Sequence, residues 1–241
     1  MKVATWNVNG IRAREAQLCD WLERDQPDVV CLQEIKARPD QVPERCKLAH
    51  YHAFWHGGGG YSGVSLHLRR ELLELPEFSH PEFDIETRIV QVALGNLVLA
   101  SVYVPNGGKD YPAKLRFMAR LAAWAKQLHD EGREVILCGD INIARADIDV
   151  HPKERKPGVI GQRAEERELF EVLLDGHLVD VARALDPDNP ACSPGGRHGA
   201  TCASATSAGA STTSSRHAPL PSAQRAAPFL PMSAPATTRP S

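Results

Sequence analysis

Residues 134–142 read EVILCGDIN, a short apolar run that ends in a carboxylate and an amide. Valine, isoleucine and leucine favour strands, and a run of this length bounded by polar residues predicts a buried β-strand. Side chains two residues apart point to the same side of a strand, so Asp140 and Asn142 are expected to face one site together. The stretch therefore predicts a core strand that carries polar groups at its carboxyl end.

Three earlier segments repeat this pattern of an apolar strand with a polar end. Residues 2–8 (KVATWNV) lead into Asn-Gly, residues 28–34 (DVVCLQE) end in a glutamate, and residues 97–104 (LVLASVYV) lead into Pro-Asn-Gly. Binding sites of layered α/β proteins collect at the carboxyl ends of strands. The sequence therefore predicts that one site contains the following side chains: Asn7, Glu34, Tyr103, Asn106, Asp140 and Asn142.

The rest of the first 190 residues mixes strand and helix patterns. Apolar residues recur at helical spacing over 13–25, 111–130 and 163–174, and residues 177–185 are a candidate fourth helix. Further strand patterns lie at 51–55, 62–68 and 88–94, and Gly95-Asn96 predicts a hairpin. Hairpins among helices indicate an α/β layered fold, not a uniform series of βαβ units.

Composition narrows the class of protein. The 241 residues are 42% hydrophobic and 24% charged, as in globular proteins, and no apolar run approaches the length of a membrane helix. The first residues, MKVATWNVNG, lack the apolar segment of a signal peptide, so a cytoplasmic protein without membrane contact is expected. The six cysteines show no CxxC spacing, which predicts reduced thiols and neither a disulfide framework nor a zinc site.

Charge is distributed unevenly along the chain. Residues 191–241 hold four arginines and no lysine or acidic residue, so residues 1–190 carry 24 basic and 30 acidic side chains. The net negative charge of residues 1–190 does not favour general binding to nucleic acid. Any DNA contact therefore needs a local basic surface.

The chemistry of the strand-end residues is that of hard oxygen ligands. Carboxylates and amides suit Mg²⁺, and such an ion can bridge a phosphate oxygen while a carboxylate takes a proton from water. Each residue alone has an ordinary structural explanation. Asp140 with Asn142 could form an Asx turn, Glu34 a helix cap, and Tyr103 a half-buried strand aromatic. Four polar strand ends together favour a functional site.

Five segments resemble one known family: TWNVNGIR, CLQEIK, YSGV, SVYVPNG and GDINIA. They are similar to the exodeoxyribonuclease III family of AP endonucleases, in the endonuclease/exonuclease/phosphatase superfamily. QE with GDxN supports only the superfamily, whereas NVNGIR and YVPNG are typical of its DNA-repair branch. The resemblance covers residues 1 to about 188. It implies a four-layered α/β sandwich, in which two β-sheets lie face to face with helices outside.

The resemblance also implies roles for the strand-end residues. Glu34 would be the main metal ligand, with Asn7 close by, and Asp140 and Asn142 would complete the metal site. Asp140 would also be the water-activating base or the leaving-group acid, and Asn142 would position the attacking water. Tyr103 would contact the scissile phosphate or the abasic sugar. The ion implied is Mg²⁺, with Mn²⁺ as the alternative.

Substrate contacts follow the same resemblance. Asn106 would lie near the leaving side, and three basic residues would contact phosphates: Lys36, Arg88 and Lys114. Each of these cations can equally be a solvated surface charge. Asp149 is interpreted as a loop-fixing residue. Arg145 stands where relatives commonly carry a histidine.

The function implied is that of a Mg²⁺-dependent DNA phosphodiesterase of base-excision repair. It would be a hydrolase that cuts beside abasic sites and removes nucleotides from 3′ ends of double-stranded DNA, as a monomer. Two alternatives stay open. One is another phosphodiesterase of the superfamily, acting on lipids or inositol phosphates. The other is a non-catalytic or nonfunctional remnant.

The remnant alternative arises from residues 191–241. The family pattern continues with a TWW segment, an RIDY-like strand and an SDHAP-like turn, whose Asp and His complete the catalytic centre, and none of these is present. Alanine, serine, threonine, proline and glycine dominate instead, which predicts disorder. The expected organisation is one domain over 1–188, with an incomplete second sheet and impaired activity, followed by a disordered tail over 189–241.

A frameshift would explain this break. When codons are read one base out of step, Ala191–Gly196 permits Leu-Phe-Thr-Trp-Trp, and Ser204–Arg216 permits a string containing Arg-Ile-Asp-Tyr. In the same frame, Pro235–Pro240 permits Ser-Asp-His-Ala-Pro. Three family motifs in order and in one frame support the hypothesis that one base is lost between about Ala184 and Ala191.

Overall fold

The computed structural model describes residues 1–156 and 158–188, together with the backbone of residues 205–206. Ten strands are described, at the following positions: β1 Val3–Asn7, β2 Val29–Gln33, β3 Tyr51–His56, β4 Val64–Arg69, β5 Phe78–Ser79, β6 Ile89–Leu94, β7 Leu97–Tyr103, β8 Glu134–Asp140, β9 Val179–Asp180 and β10 Ala205–Thr206. The α-helices of the described residues are α1 Ile11–Asp25, α2 Tyr111–Asp130, α3 Ala164–Asp175 and α4 Val181–Leu185.

The strands form two sheets. A four-stranded sheet has the order β1-β2-β4-β3, and a six-stranded sheet has the order β5-β6-β7-β8-β10-β9. Each sheet contains one parallel pair, β1 with β2 and β7 with β8. Because parallel neighbours end at the same edge, each pair brings two carboxyl ends together.

Three apolar clusters show how the layers are stacked. The middle cluster joins residues of both sheets, such as Leu66 of β4 and Leu99 of β7, so the sheets pack face to face. A second cluster packs α1 on the outer face of the four-stranded sheet, through residues such as Leu18. A third packs α2 and α3 on the outer face of the other sheet, through residues such as Phe117 and Phe170. The order helix, sheet, sheet, helix confirms the predicted four-layered α/β sandwich.

Helix α2 illustrates how the local sequence sets an element. Its bounds match the predicted range, and Asp110 caps it by accepting a hydrogen bond from the backbone N–H of Ala113 at 2.9 Å. Pro112 lies in the first turn, where it costs no hydrogen bond. Its buried stripe includes Met118 and Leu121, which pack on the second sheet.

Residues 177–185 differ from the prediction of a helix. Val179 and Asp180 form strand β9, and the helix occupies only Val181–Leu185. Asp180 accepts a hydrogen bond from the backbone N–H of Arg183 at 3.1 Å, so it caps the helix and delays its start.

The predicted disorder of residues 191–241 lies outside the described residues, apart from Ala205 and Thr206. The backbone of these two residues pairs antiparallel with β8 and with β9. Ladder hydrogen bonds use only backbone groups, so composition alone does not exclude such pairing.

Cysteines and helix hydropathy bear on two further expectations. Cys19, Cys31, Cys46 and Cys138 are buried and form no disulfide with one another. Among the described residues, no helix has the length and apolar character to cross a bilayer.

Candidate active site at the strand ends

The carboxyl ends of the two parallel pairs meet where the two sheets pack together. In the first sheet Asn7 pairs in register with Gln33, and Glu34 follows directly. In the second sheet Tyr103 pairs in register with Asp140. A Cβ atom at Gly139 would lie 1.8 Å from the carbonyl oxygen of Val102, so only glycine fits before Asp140.

Asn7 connects the two sheets at this point. Its side-chain nitrogen Nδ2 donates to Glu34 Oε1 at 2.8 Å and to Asp140 Oδ2 at 2.8 Å. All three side chains are buried, so one neutral amide holds two carboxylates from different sheets side by side. The structure therefore brings together three of the predicted metal ligands.

The backbone around the site is strained. Asn9, Glu34, Lys36 and Asn142 have φ values of 47°, 53°, 51° and 54°, in the left-handed region that side chains other than glycine rarely adopt. Such strain persists only where surrounding contacts maintain it, and it clusters at functional sites. Glu34 follows the last residue of β2, and its carboxylate faces Asn7. It does not cap a helix.

Asp140 and Asn142 come together in a way that differs from the prediction. Strand β8 ends at Asp140, so the alternation of a strand does not extend to Asn142. Instead the backbone N–H of Asn142 donates to Asp140 Oδ1 at 3.0 Å, which is an Asx-type contact. The side-chain Nδ2 of Asn142 donates to the carbonyl of Val104 at 2.8 Å. The turn and the site coexist, because Asp140 uses its other oxygen towards Asn7.

Tyr103 is buried at the end of β7, next to Asp140 of the neighbouring strand. Desolvation, followed by the charges of Glu34 and Asp140, raises the pKa of its phenol, so Tyr103 is a neutral O–H donor at physiological pH. The guanidinium of Arg88 lies over its ring, 4.9 Å from the centroid.

Arg88 is also buried, and its charge is paired internally. Its Nη2 lies 2.7 Å from Glu86 Oε2, and its Nη1 donates to the carbonyl of Tyr103 at 3.4 Å. In this arrangement Arg88 supports Tyr103. Arg88 therefore makes contacts inside the protein where a contact with a DNA phosphate was predicted.

Lys114 likewise contradicts the prediction of a DNA contact. Its side chain is fully buried, and its Nζ lies 2.5 Å from Glu166 Oε1. Nζ also donates to the carbonyl oxygens of Asn142 at 2.7 Å and Asn106 at 3.4 Å. Burial lowers the pKa of this ammonium, while the charges of Glu166 and Asp140 oppose the shift. Lys114 therefore holds the loops of Asn106 and Asn142 from the interior of the protein.

The two remaining predicted substrate residues are more accessible. Lys36 pairs with Glu34 Oε2 at 2.9 Å and donates to Asn9 Oδ1, and about a third of its side chain is exposed, at 33%. Asn106 is exposed, and its Oδ1 accepts from the backbone N–H of Gly108 at 3.0 Å, as in a turn.

Two loop residues named in the sequence have clear partners. Asp149 accepts from the backbone N–H of Ala146 at 2.8 Å and pairs with Arg183, so its predicted loop-fixing role is confirmed. Arg145 forms a two-pronged ion pair with Glu171 on α3, at 2.7 and 3.0 Å.

Sequence reasoning missed Glu86 and Glu166. Glu166 carried a usable signal, because it stands three residues after Arg163 and accepts from the backbone N–H groups of Arg163 and Gly161, as the glutamate of a capping box does. Glu86 carried none, because its partner is set by loop geometry.

A four-layered sandwich with carboxylates and amides gathered at its strand ends is the architecture of a phosphodiester hydrolase. The family model described as "Endonuclease/Exonuclease/phosphatase family" matches residues 4–223, and the chain belongs to this family. Within it, the chain is an exodeoxyribonuclease III-type hydrolase by sequence relationship.

Individual relatives place it near DNA-repair nucleases. The chain is 33% identical over 204 residues to "Exodeoxyribonuclease III" of Haemophilus influenzae, a match that covers 78% of this chain and 76% of the relative. It is 32% identical over 202 residues to "Recombination repair protein 1" of Drosophila melanogaster, where the match covers 78% of this chain but spans only 29% of that longer protein.

Solved structures support the same fold. An AP endonuclease from Archaeoglobus fulgidus superposes with a TM-score of 0.73 and 27% identity, covering 86% of each chain. A 3′ phosphatase from Neisseria, bound to a product DNA hairpin, superposes with a TM-score of 0.74 and 26% identity, also covering 86% of each chain.

Proposed function

We propose that the active site built here is that of a Mg²⁺-dependent DNA phosphodiesterase of base-excision repair. It would cut at abasic sites and remove nucleotides from 3′ ends of duplex DNA, as a cytoplasmic monomer. The observation that carries the proposal is the pair of hydrogen bonds from Asn7 to Glu34 and Asp140, both at 2.8 Å. They bring two carboxylates of different sheets to one point.

The donor set fits a hard divalent cation. Glu34, Asp140 and the amides of Asn7 and Asn142 offer oxygen atoms, and the cysteines of the described residues lie in the apolar clusters. Oxygen donors of this kind are those that Mg²⁺ prefers, and they also accept Mn²⁺. When bound, the ion supplies Lewis-acid stabilisation of a phosphoryl oxygen.

The chain's own residues account for proton movement and positioning. Asp140 is held by Asn7 and by the N–H of Asn142, and it would take the proton of the attacking water or return one to the leaving oxygen. Tyr103, kept protonated by its raised pKa, would donate its O–H to a phosphate oxygen. An amide has two N–H groups and an oxygen, so Asn142 can still orient a water while bonded to Val104.

DNA is the substrate that the relatives favour. The Haemophilus relative is named for DNA cleavage, and the Neisseria structure contains a DNA hairpin product. Lys36 offers the partly exposed cation at the site that a phosphate contact needs. Specificity for abasic sites rests on NVNGIR and YVPNG, which argue against lipid and inositol phosphate substrates.

The proposed activity is reduced in this chain, because residues 191–241 lack the SDHAP-like turn with its Asp and His. Loss of a general acid or base typically costs about 10²–10⁴-fold in rate. The frameshift hypothesis gives this a genetic test by resequencing codons 180–195. Restoration of one base should give the TWW, RIDY and SDHAP motifs in a single frame, and a coding sequence that gives no such strings contradicts the hypothesis.

The activity test uses a 5′-labelled duplex with one abasic site and a lipid head-group phosphodiester as the competing substrate. Cleavage of the duplex should require Mg²⁺ and disappear with EDTA. Glu34→Gln should lower kcat/KM by about 100-fold or more, because it removes a charged ligand, whereas the exposed Glu168→Gln should leave the rate unchanged. Metal-independent cleavage, cleavage of only the lipid substrate, or full activity of Glu34→Gln would contradict the proposal. Mg²⁺-dependent DNA binding without product would favour the non-catalytic alternative.

A further inference from the structure

A second group of metal-ligating side chains lies outside the strand-end site. His56, His80 and Asp84 each offer one ligand atom, and these atoms all lie within 4.8 Å of one another. His56 is the last residue of β3, His80 follows β5 directly, and Asp84 lies in the loop that leads to β6. Strand β3 is the edge of the four-stranded sheet and β5 the edge of the six-stranded sheet, so the group spans the two sheets.

The carboxylate of this group is fixed in place before any ligand binds. Asp84 Oδ1 accepts hydrogen bonds from the backbone N–H groups of Arg88 at 2.8 Å and Ile89 at 3.1 Å. Its other oxygen, Oδ2, lies 2.6 Å from His56 Nε2. Metal sites use hydrogen bonds of this kind to orient a ligating carboxylate, so Asp84 presents one oxygen in a defined direction.

The two histidines are also prepositioned. The rings of His56 and His80 stack with centroids 4.7 Å apart and an angle of 14° between their planes. Phe54 of β3 stacks on Phe78 of β5 at 5.6 Å, which holds the two sheet edges together beside them. His80 is exposed, so rotation of its side chain can bring its nitrogen to ligand distance.

We propose that His56, His80 and Asp84 bind a first-row transition metal ion of the Zn²⁺ class, separately from the strand-end site. Imidazole nitrogens favour Zn²⁺, Cu²⁺, Ni²⁺ or Co²⁺ over Mg²⁺, whereas the strand-end site offers oxygen atoms. Tetrahedral zinc with ligand bonds of about 2.0–2.1 Å needs its ligand atoms roughly 3.3 Å apart. The His56–Asp84 pair, at 2.6 Å, would open slightly as the ion takes its place between the two atoms. The remaining distances, at 4.8 Å or less, can close by one side-chain rotation.

The consequence of binding is a link between the two sheets. His56 lies at the edge of one sheet and His80 at the edge of the other. An ion bound to both would therefore oppose the separation of the two sheets on unfolding. The Asp84 carboxylate also holds the N–H of Arg88, whose guanidinium lies over the Tyr103 ring. Metal binding would therefore order the segment that supports Tyr103.

The experiment measures binding directly and does not depend on nuclease activity. The full chain is kept in millimolar Mg²⁺, which occupies oxygen sites, and is titrated with Zn²⁺ by calorimetry and with Co²⁺ by its visible absorption. His80→Ala and His56→Ala are the test variants. His129→Ala is the matched control, because His129 stacks on His177 with centroids 3.9 Å apart but belongs to no such three-residue group among the described residues.

We expect wild type and His129→Ala to bind one equivalent of Zn²⁺ at this site, and His80→Ala and His56→Ala to bind that equivalent at least about tenfold more weakly. A hundredfold excess of Zn²⁺ over Kd should raise Tm by about 5–10 °C in wild type but not in His80→Ala. His80 is exposed, so its variant tests the site even if His56→Ala fails to fold. Two results would overturn the proposal. One is equal Zn²⁺ binding by His80→Ala and wild type, and the other is no binding by wild type at about 100 μM Zn²⁺.

Discussion

The strand-end site contains two lysines with different partners. Lys36 marks its partly exposed rim, and Lys114 marks its buried floor. At the rim, Lys36 pairs with Glu34 and donates to Asn9, with 33% of its side chain exposed. At the floor, Lys114 is wholly buried, pairs with Glu166 and donates to the carbonyl of Asn142. Lys36 follows strand β2 and Lys114 lies in helix α2, and only the exposed cation of Lys36 can meet a substrate.

This difference shows how depth decides the role of a charge. A partly exposed pair is screened by water and contributes little to stability, so its charge remains usable by a ligand. A fully buried pair has given up its hydration, and each partner depends on the other to offset that cost. The rim can therefore tolerate substitution and the floor cannot.

The largest expected effect concerns Asp140, which lies between the rim and the floor. Asp140→Asn should lower kcat by about 10²–10⁴-fold on abasic duplex, because an amide cannot take a proton from water. The amide oxygen can still accept from the N–H of Asn142, but the amide NH2 replaces the oxygen that accepts from Asn7, so the free energy of unfolding should fall by about 1–3 kcal/mol. Single-turnover kinetics and a urea denaturation curve measure the two effects.

Asp147→Asn serves as the matched control, because Asp147 is exposed and pairs only with Arg167 at 2.8 Å among its described contacts. Retention of wild-type kcat by Asp140→Asn would remove Asp140 from the chemistry. A fall in kcat that merely follows a loss of folded protein would assign it a structural role instead.

The next effect is on the floor. Lys114→Met should lower the free energy of unfolding by about 3–5 kcal/mol, because it leaves the carboxylate of Glu166 buried without a positive charge beside it. The double variant Lys114→Met/Glu166→Gln removes both charges while keeping an acceptor for the N–H of Gly161. It should recover much of that stability in urea denaturation.

If the single and double variants are equally unstable, the charge of Glu166 is not the cause, and the loss lies in the contacts that Lys114 makes to the loop carbonyls. If Lys114→Met is as stable as wild type, the contrast between rim and floor fails.

Much of this architecture could be predicted from the sequence because local patterns report it. Strand EVILCGDIN and helix 111–130 appear with nearly the predicted bounds, since alternation and helical spacing show which face is buried. The gathering of Asn7, Glu34 and Asp140 was also expected, because polar residues end these strands and the sites of layered α/β proteins collect at strand carboxyl ends. Their finer roles came from family resemblance.

The errors have a common physical origin. Lys114 and Glu166 lie far apart in the chain, and no local pattern reports a long-range pair in the interior. Basic residues are usually exposed, so Arg88 and Lys114 were expected at the surface. Asn142 deviates because a left-handed residue ends the alternation of β8, and single residues of that kind are not visible in an apolar pattern.

The smallest expected effect is at the rim. Lys36→Gln should change the free energy of unfolding by at most about 1 kcal/mol, because the pair with Glu34 is partly exposed. If Lys36 contacts a DNA phosphate, the variant should bind duplex DNA more weakly, and the slope of log affinity against log salt should fall by about one. Fluorescence anisotropy at several salt concentrations measures this slope. The exposed Lys126→Gln, on the outer helix α2, should leave it unchanged. An unaltered slope in Lys36→Gln would mean that Lys36 only neutralises Glu34. The two lysines would then differ in burial, but each would serve only as the partner of a carboxylate inside the protein.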